Sequence, residues 1–275
     1  ALRMVTDRER EINAFVPQES WTLDALLQKL DPQDNDLRSF VATLHSVKGT
    51  NKRVNVSDEK DIRVYESELK GAKFTVDDVR KRNVKQRPSA PFTTSTMQQD
   101  SGRKLRFTAQ RTMSVAQQLY EGISVNGGSV GLITYMRTDS LSLSEEAITA
   151  AQEVIVSSYG LDFHQARRYK TKSSSAQEAH EAIRPTDLTK PSILGLDDQS
   201  AKLYSLIYKR TLASQMSDAQ LQKTKINIDI ENRNEHFIAD GEVLSFSGFL
   251  KVYEYMANED KLLPRLDVGQ SLSLV

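Results

Sequence analysis

The sequence predicts an α+β fold: a β-rich domain interrupted by an inserted and mainly helical domain. Three observations predict it. Short alternating apolar runs separated by polar turns fill residues 15–90. Helical periodicity takes over at residue 91 and lasts to about 217. Alternation then returns over 218–275, so two β segments flank one helical block, and the simplest topology pairs the flanks.

The elements follow in order. Residues 1–14 read as a helix, with Asp7 and Glu11 spaced to pair with Arg3 and Arg8. A helix is also expected at 22–30. The runs 40–47 (FVATLHSV), 53–58 (RVNVSD), 62–69 (IRVYESEL) and 72–79 (AKFTVDDV) read as strands. In 108–122, Thr108 is the expected N-cap, Gly122 the stop, and Ala109, Met113, Ala116 and Tyr120 the inward face. The string SVNGGSV (124–130) reads as a hairpin. The helix of 142–160 is expected to open on a Ser142/Glu145 capping box and to stop at Gly160, with Ala147, Ile148, Ala151, Val154 and Ile155 inward. A short helix at 176–183 is expected to end before Pro185. Another at 196–216 turns Leu203, Leu206, Ile207 and Leu212 inward. The segments 225–231, 236–241, 249–255 and the final SLSLV read as strands.

Composition bounds the function. Charged residues make up 27% of the 275, with 37 basic and 37 acidic. That balance excludes a bulk polycation. Without cysteine there is no disulfide and no thiolate zinc site, as expected of an intracellular protein. No apolar run reaches the length of a membrane span. The chain opens on ALRMVTDREREI, a charged helical pattern without an initiator methionine, and is expected to be an interior piece of something larger. Neutrality hides a local asymmetry. Between Arg80 and Arg111 the basic residues include Arg82, Lys85, Arg87, Arg103, Lys104 and Arg106, and the one acid is Asp100. A second cluster is Arg167-Arg168-Tyr169-Lys170-Thr171-Lys172. Either is a solvated face or a polyanion contact; two of them flanking one motif favour the polyanion, with Arg111 among the DNA-binding candidates.

That motif is GLITYMRTDS (131–140). A tyrosine phenol, with an ordinary pKa of about 10, can attack a phosphodiester. The aryl ester formed keeps a good leaving group, so a sugar hydroxyl can later reverse the step. Two residues on, Arg137 offers a planar fork for phosphate that stays charged. Asp139 is placed to orient Arg137 or to cap the next helix. Tyr-x-Arg alone is common, and an exposed tyrosine beside a surface arginine is its ordinary reading. His180-Glu181 begins like a zinc-protease helix, but Arg184 stands where the second histidine belongs. A tyrosine recombinase would place the tyrosine after its arginines and histidine; here Tyr135 comes first. Asn227-x-Asp229-x-Glu231 puts three acceptors on one strand face, a cation site or, more ordinarily, the wet face of a half-buried strand. A module of winged-helix type that binds nucleic acid without chemistry also fits the basic clusters and the hairpin.

The string GLITYMRTDS closely resembles the active-site tyrosine segment of type IA DNA topoisomerases. PFTTSTMQQD (91–100) resembles the segment that precedes it, and SAQEAHEAIRPTD (175–187) the family's downstream histidine segment. The opening ALRMVTDREREINAFVP is similar to the helix that leads from the gate base into the arch. The resemblance implies that Tyr135 is the nucleophile that bonds a DNA 5′-phosphate, that Arg137 stabilises the scissile phosphate, and that His180 assists. Thr134 and Thr138 are implied as phosphate contacts or as supports behind them. Arg184 is implied as a backbone contact or a structural residue. Thr94, Ser95, Thr96, Gln98 and Gln99 are expected to pack near the site. The family's Mg²⁺ belongs to an acidic Toprim domain, expected outside this chain, so no cofactor is expected here. The implied partners are single-stranded DNA and the Toprim and gate-base domains of the same polypeptide, in the bacterial cytoplasm. By itself the chain is expected not to relax DNA.

Overall fold

The computed structural model describes residues 2–30, 39–50, 53–125, 128–170, 180–253 and 261–275. It forms two compact units: one of Ala1–Asn83, Gln222–Val243 and Glu259–Val275, the other of Val84–Leu221 and Leu244–Asn258. The fold is α+β.

The first unit is built on a closed barrel. Its strands are β1 (Asp24–Lys29), β2 (Ser39–Val47), β3 (Phe74–Gln86), β6 (Ala219–Ile230), β7 (Glu235–Phe246) and β8 (Ser271–Leu274), in the order β1-β2-β7-β6-β3-β8. Period-two burial drives the closure. In β1 the buried residues are Ala25, Leu27 and Lys29; in β2 they are Phe40, Ala42, Leu44 and Ser46. Ile226, Ile228 and Ile230 of β6 complete the interior with Phe74, Phe237 and Leu272. β1 pairs antiparallel with both β2 and β8, matching Leu27 to Phe40 on one side and to Leu274 on the other.

Three expectations in this unit fail. The helix expected at 22–30 is strand β1, in which burial alternates and both edges find partners. The strand expected at 62–69 is helix α2 (Glu59–Leu69). Asp58 caps it by accepting from Lys60 N at 2.7 Å, and Arg63 bridges Glu59 and Glu66 one turn away on either side. Those pairs form only at helical spacing, and they outweigh the β-propensity of Ile62, Val64 and Tyr65. Residues 53–58 make only single bridges, Arg53 to Ser46 and Val56 to Trp21. At the start of the chain, α1 (Leu2–Ala14) carries the expected pairs Arg3–Asp7 and Arg8–Glu11.

The second unit packs α3 (Thr94–Asp100), α4 (Ala109–Glu121), α5 (Glu145–Tyr159) and α6 (Asp198–Ser214) around Phe92, Met97, Leu119, Ile155 and Leu203. Thr108, Ser144 and Asp197 each cap the following helix with a side-chain oxygen. α5 therefore starts at Ser144, not at the expected Ser142/Glu145 box. The buried face of α4 is Thr112, Val115, Ala116 and Leu119, which rotates Tyr120 away from the core where the sequence placed it. Between α4 and the next segment, β4 (Ile123–Val125) and β5 (Gly128–Val130) form the expected hairpin, matching Ile123 to Val130; its turn lies outside the described residues. The strand expected at 249–255 is instead a 3-10 turn, Gly248–Lys251, with 254–255 outside the described residues. Gly248 has φ +47, and a Cβ there would lie 2.5 Å from the carbonyl oxygens of Ser217 and Asp218. No helix of the described residues is long and apolar enough to cross a membrane.

Candidate active site

The tyrosine segment pairs with residues 183–186, which also pair with Phe92. Phe92 bridges Ile183, and Ile133 bridges Pro185, all antiparallel. Ile183 N donates to Phe92 O at 2.8 Å, Thr134 N to Arg184 O at 2.9 Å, and Thr186 N to Leu132 O at 3.0 Å. Residues 176–179 of the short helix expected here lie outside the described residues. Residues 180–183 are not helical, because Ala182 N and Ile183 N already donate to Ser142 O and Phe92 O.

Past Thr134 burial alternates. Met136, Thr138 and Ser140 are buried, and Tyr135, Arg137 and Asp139 are exposed. The phenol and the guanidinium, two residues apart, are therefore both open to solvent. Thr94 fixes the alternation. Its hydroxyl donates to Met136 O at 2.7 Å and accepts from Thr138 N at 2.9 Å, while its own N–H donates to Thr138 O at 2.9 Å.

Aromatic rings flank Tyr135. Tyr120 meets it edge-on, centroids 5.4 Å apart at 66°, and His180 lies 5.6 Å away, tilted 39°. Such pairs orient a ring and are worth about 0.5–1.5 kcal/mol beyond area burial. Tyr135 still keeps 36% of its surface exposed, enough for a ligand to approach the ring from the open side. The Tyr120 contact depends on Gly131. Leu132 N donates to Leu119 O at 2.8 Å, and a Cβ on Gly131 would sit 2.7 Å from Tyr120 O. Only glycine lets the strand approach the end of α4 this closely.

Next to His180 in the chain is a half-buried brace. Glu181 Oε2 accepts from Arg184 Nη2 at 2.7 Å and Nε at 3.1 Å, and Oε1 accepts from Ser144 N at 2.5 Å. Burial pushes the Glu181 pKa up, but the bonds and charge of Arg184, with Ser144, outweigh it and hold the carboxyl below its ordinary value. Such a bond stabilises the fold fully above the ordinary glutamate value of about 4.5 and is lost as pH falls through the lower folded value. Thermal melts of the wild-type chain and Glu181→Gln should therefore differ at neutral pH and converge in acid. A gap that stays constant with pH would mean that the carboxylate charge contributes nothing.

The DNA topoisomerase family model matches residues 1–275. The chain belongs to the type IA DNA topoisomerases. It is 39% identical to DNA topoisomerase 1 of Campylobacter jejuni, an alignment covering all of this chain and 38% of that protein. It is also 39% identical to DNA topoisomerase 1 of Helicobacter pylori, covering all of this chain and 36% of that protein. The solved full-length topoisomerase I of Thermotoga maritima is similar in fold, with a TM-score of 0.77 at 29% identity over 99% of this chain and 42% of that one. The chain thus spans well under half the length of these relatives.

Within this topoisomerase chain the expected site residues divide. Tyr135 and His180 are in ring contact, and Arg137 is exposed two residues after Tyr135. Arg137 makes no ion pair among the described residues, and neither does Asp139, whose expected capping role is filled by Ser144. Thr134 and Thr138 were each expected as a phosphate contact or as a support, and the bonds favour support. Thr134 Oγ1 donates to Ala182 O at 2.7 Å and accepts from Arg184 N at 3.0 Å; Thr138 Oγ1 accepts from Ser140 N at 3.0 Å. Arg184 is likewise engaged within the fold, bonded to Glu181 and to Pro185 O at 3.0 Å. Arg111 is exposed in the first turn of α4. Among the described residues no three His, Cys, Asp or Glu come together as a metal-binding group. Asp229 is met by Lys48, and Glu231 by Lys73 at 3.6 Å, so that strand face is salt-bridged. Sequence reading missed Tyr120 and Glu181. A signal existed for Glu181 alone: its spacing of three from Arg184.

Proposed function

We propose that this chain is the tyrosine-bearing part of a longer polypeptide that relaxes negatively supercoiled DNA by cutting one strand, passing the other through the break and resealing. The observation that carries the reading is the half-open Tyr135, in ring contact with His180 and Tyr120, with the exposed Arg137 two residues on. The Tyr135 oxygen attacks a backbone phosphorus. A tyrosine–phosphorus bond forms and the bond to the 3′ oxygen breaks, leaving a 5′-phosphotyrosine and a free 3′-hydroxyl. The phenolic proton leaves as the 3′ oxygen gains one. Resealing is the same exchange in reverse, so bond energy is stored and no ATP is needed. Arg137 grips the phosphate oxygens and stabilises the charge that builds in the transition state. His180, beside the phenol, positions the phosphate. Mg²⁺ belongs, in this reading, to another domain of the longer polypeptide, and no step above passes through it. The chain alone then lacks what relaxation needs.

The test is a plasmid assay. The full-length polypeptide should relax negatively supercoiled plasmid without ATP, and Arg137→Ala should slow it by about 10²–10³, the usual loss when one charge-stabilising donor is removed. Failure of the wild type to relax plasmid, or an absolute need for ATP, would overturn the reading.

A further inference from the structure

The exposed basic stretch after α3 has an unusual backbone. Ser101–Leu105 forms a single π-helical turn, closed by Arg106 N donating to Ser101 O, with Phe107 N bonded to the same carbonyl at 3.3 Å. Such turns are rare and gather at functional sites. Arg106 ends the turn at φ 61, ψ 28, in the left-handed region. The other non-glycine residue with positive φ among the described residues is Asn232, of a type that enters this region readily. An arginine does not; its Cβ crowds the following carbonyl, and glycine would fit without strain. The position gives up stability and presents an exposed guanidinium.

Arg106 forms no ion pair among the described residues. The one acid between residues 80 and 111 is Asp100. It faces inward, accepting from Tyr253 OH and from Arg210 Nη1 at 3.3 Å, with 18% of its side chain exposed. Arg103, Arg106 and Arg111 are exposed and form no ion pair among the described residues. Arg111 is steadied over the Phe107 ring at 5.8 Å. It stands nine residues before Tyr120 on α4, roughly 14 Å at the helical rise, so the patch lies within a few nucleotides of a strand held at Tyr135.

We propose that Arg103, Arg106 and Arg111 form a second phosphate-binding subsite, which holds the backbone of single-stranded DNA away from the bond being cut. That the strand continues to Tyr135 rests on the proposed function; phosphate binding by the patch does not. The experiment measures anisotropy of a labelled oligodeoxynucleotide with the full-length polypeptide over a salt series, alongside thermal melts. One phosphate contact contributes about 0.7 to the slope of log affinity against log salt on a single strand. Arg106→Gly should lower the slope by about that amount, weaken low-salt binding several-fold and raise the melting temperature. Arg106→Lys should keep the slope. Arg106→Asn, which tolerates the left-handed backbone, gives a second reading should the glycine variant fold poorly. An unchanged slope in both Arg106→Gly and Arg106→Asn would overturn the proposal, whatever happens to the melt. Tyr135→Phe should leave the slope intact while removing cleavage, so failure of the subsite and failure of the catalytic reading appear in different variants.

Discussion

Tyr135→Phe in the full-length polypeptide is expected to abolish strand cleavage while leaving the fold and DNA binding as they were. The ring contacts with Tyr120 and His180 depend on the ring and not on its hydroxyl, so phenylalanine should lie in the same place. The segment is fixed through Thr94, Thr134 and the backbone of 182–186, none of which uses the phenol. What disappears is the attacking oxygen. Removing a covalent nucleophile costs on the order of 10⁶ in rate in a well-studied hydrolase. A module that only binds nucleic acid would treat the same change as silent. Gel assays of oligonucleotide cleavage, with anisotropy on the same samples, separate the two readings. Cleavage by the phenylalanine variant at the wild-type rate would remove Tyr135 from the mechanism.

Gly131→Ala is expected to damage both stability and cleavage without touching a catalytic group. A Cβ would meet the Tyr120 carbonyl oxygen at 2.7 Å, inside any tolerable contact. Backbone against backbone has no flexible end to yield, so the strand start or the end of α4 must move. Overpacking of this kind costs about 1–3 kcal/mol, and here it also breaks the Leu132–Leu119 hydrogen bond. Because the same contact sets Tyr120 against Tyr135, the variant should fold with a lower melting temperature and cleave at least about tenfold more slowly, since small misplacements of a nucleophile are expensive. Wild-type melting and cleavage in Gly131→Ala would show that the close approach is relieved cheaply and that the Tyr120 contact does not matter.

The sequence was most legible where chemistry and spacing coincide. Tyr135, Arg137 and His180 stand out because their side-chain chemistry and the strings that hold them are distinctive. It was least legible where tertiary contacts decide. Thr134 is a free donor on paper, and only the return of residues 182–184 shows its hydroxyl spent on the backbone. Tyr120 falls on the apolar stripe of α4 when periodicity alone is counted, yet a rotation of about one residue buries Leu119 and delivers Tyr120 to the site. In α2, β-branched and aromatic residues imitate a strand until the Arg63 pairs are noticed. β1 was mistaken for a helix because six residues are too few for period two to stand out.

The most direct measurement is to locate the covalent bond. The full-length polypeptide would be incubated with Mg²⁺ and an oligonucleotide labelled on the 3′ side of the cut, quenched in denaturant, trimmed with nuclease and digested with trypsin. Cleavage after Arg111 and Arg137 places Tyr120 and Tyr135 in the same peptide, 112–137, so fragmentation in the mass spectrometer must tell them apart. The expected result is one nucleotide adduct, on the Tyr135 oxygen. An adduct on Tyr120, or on any residue outside this peptide, would contradict the assignment of Tyr135 as the nucleophile.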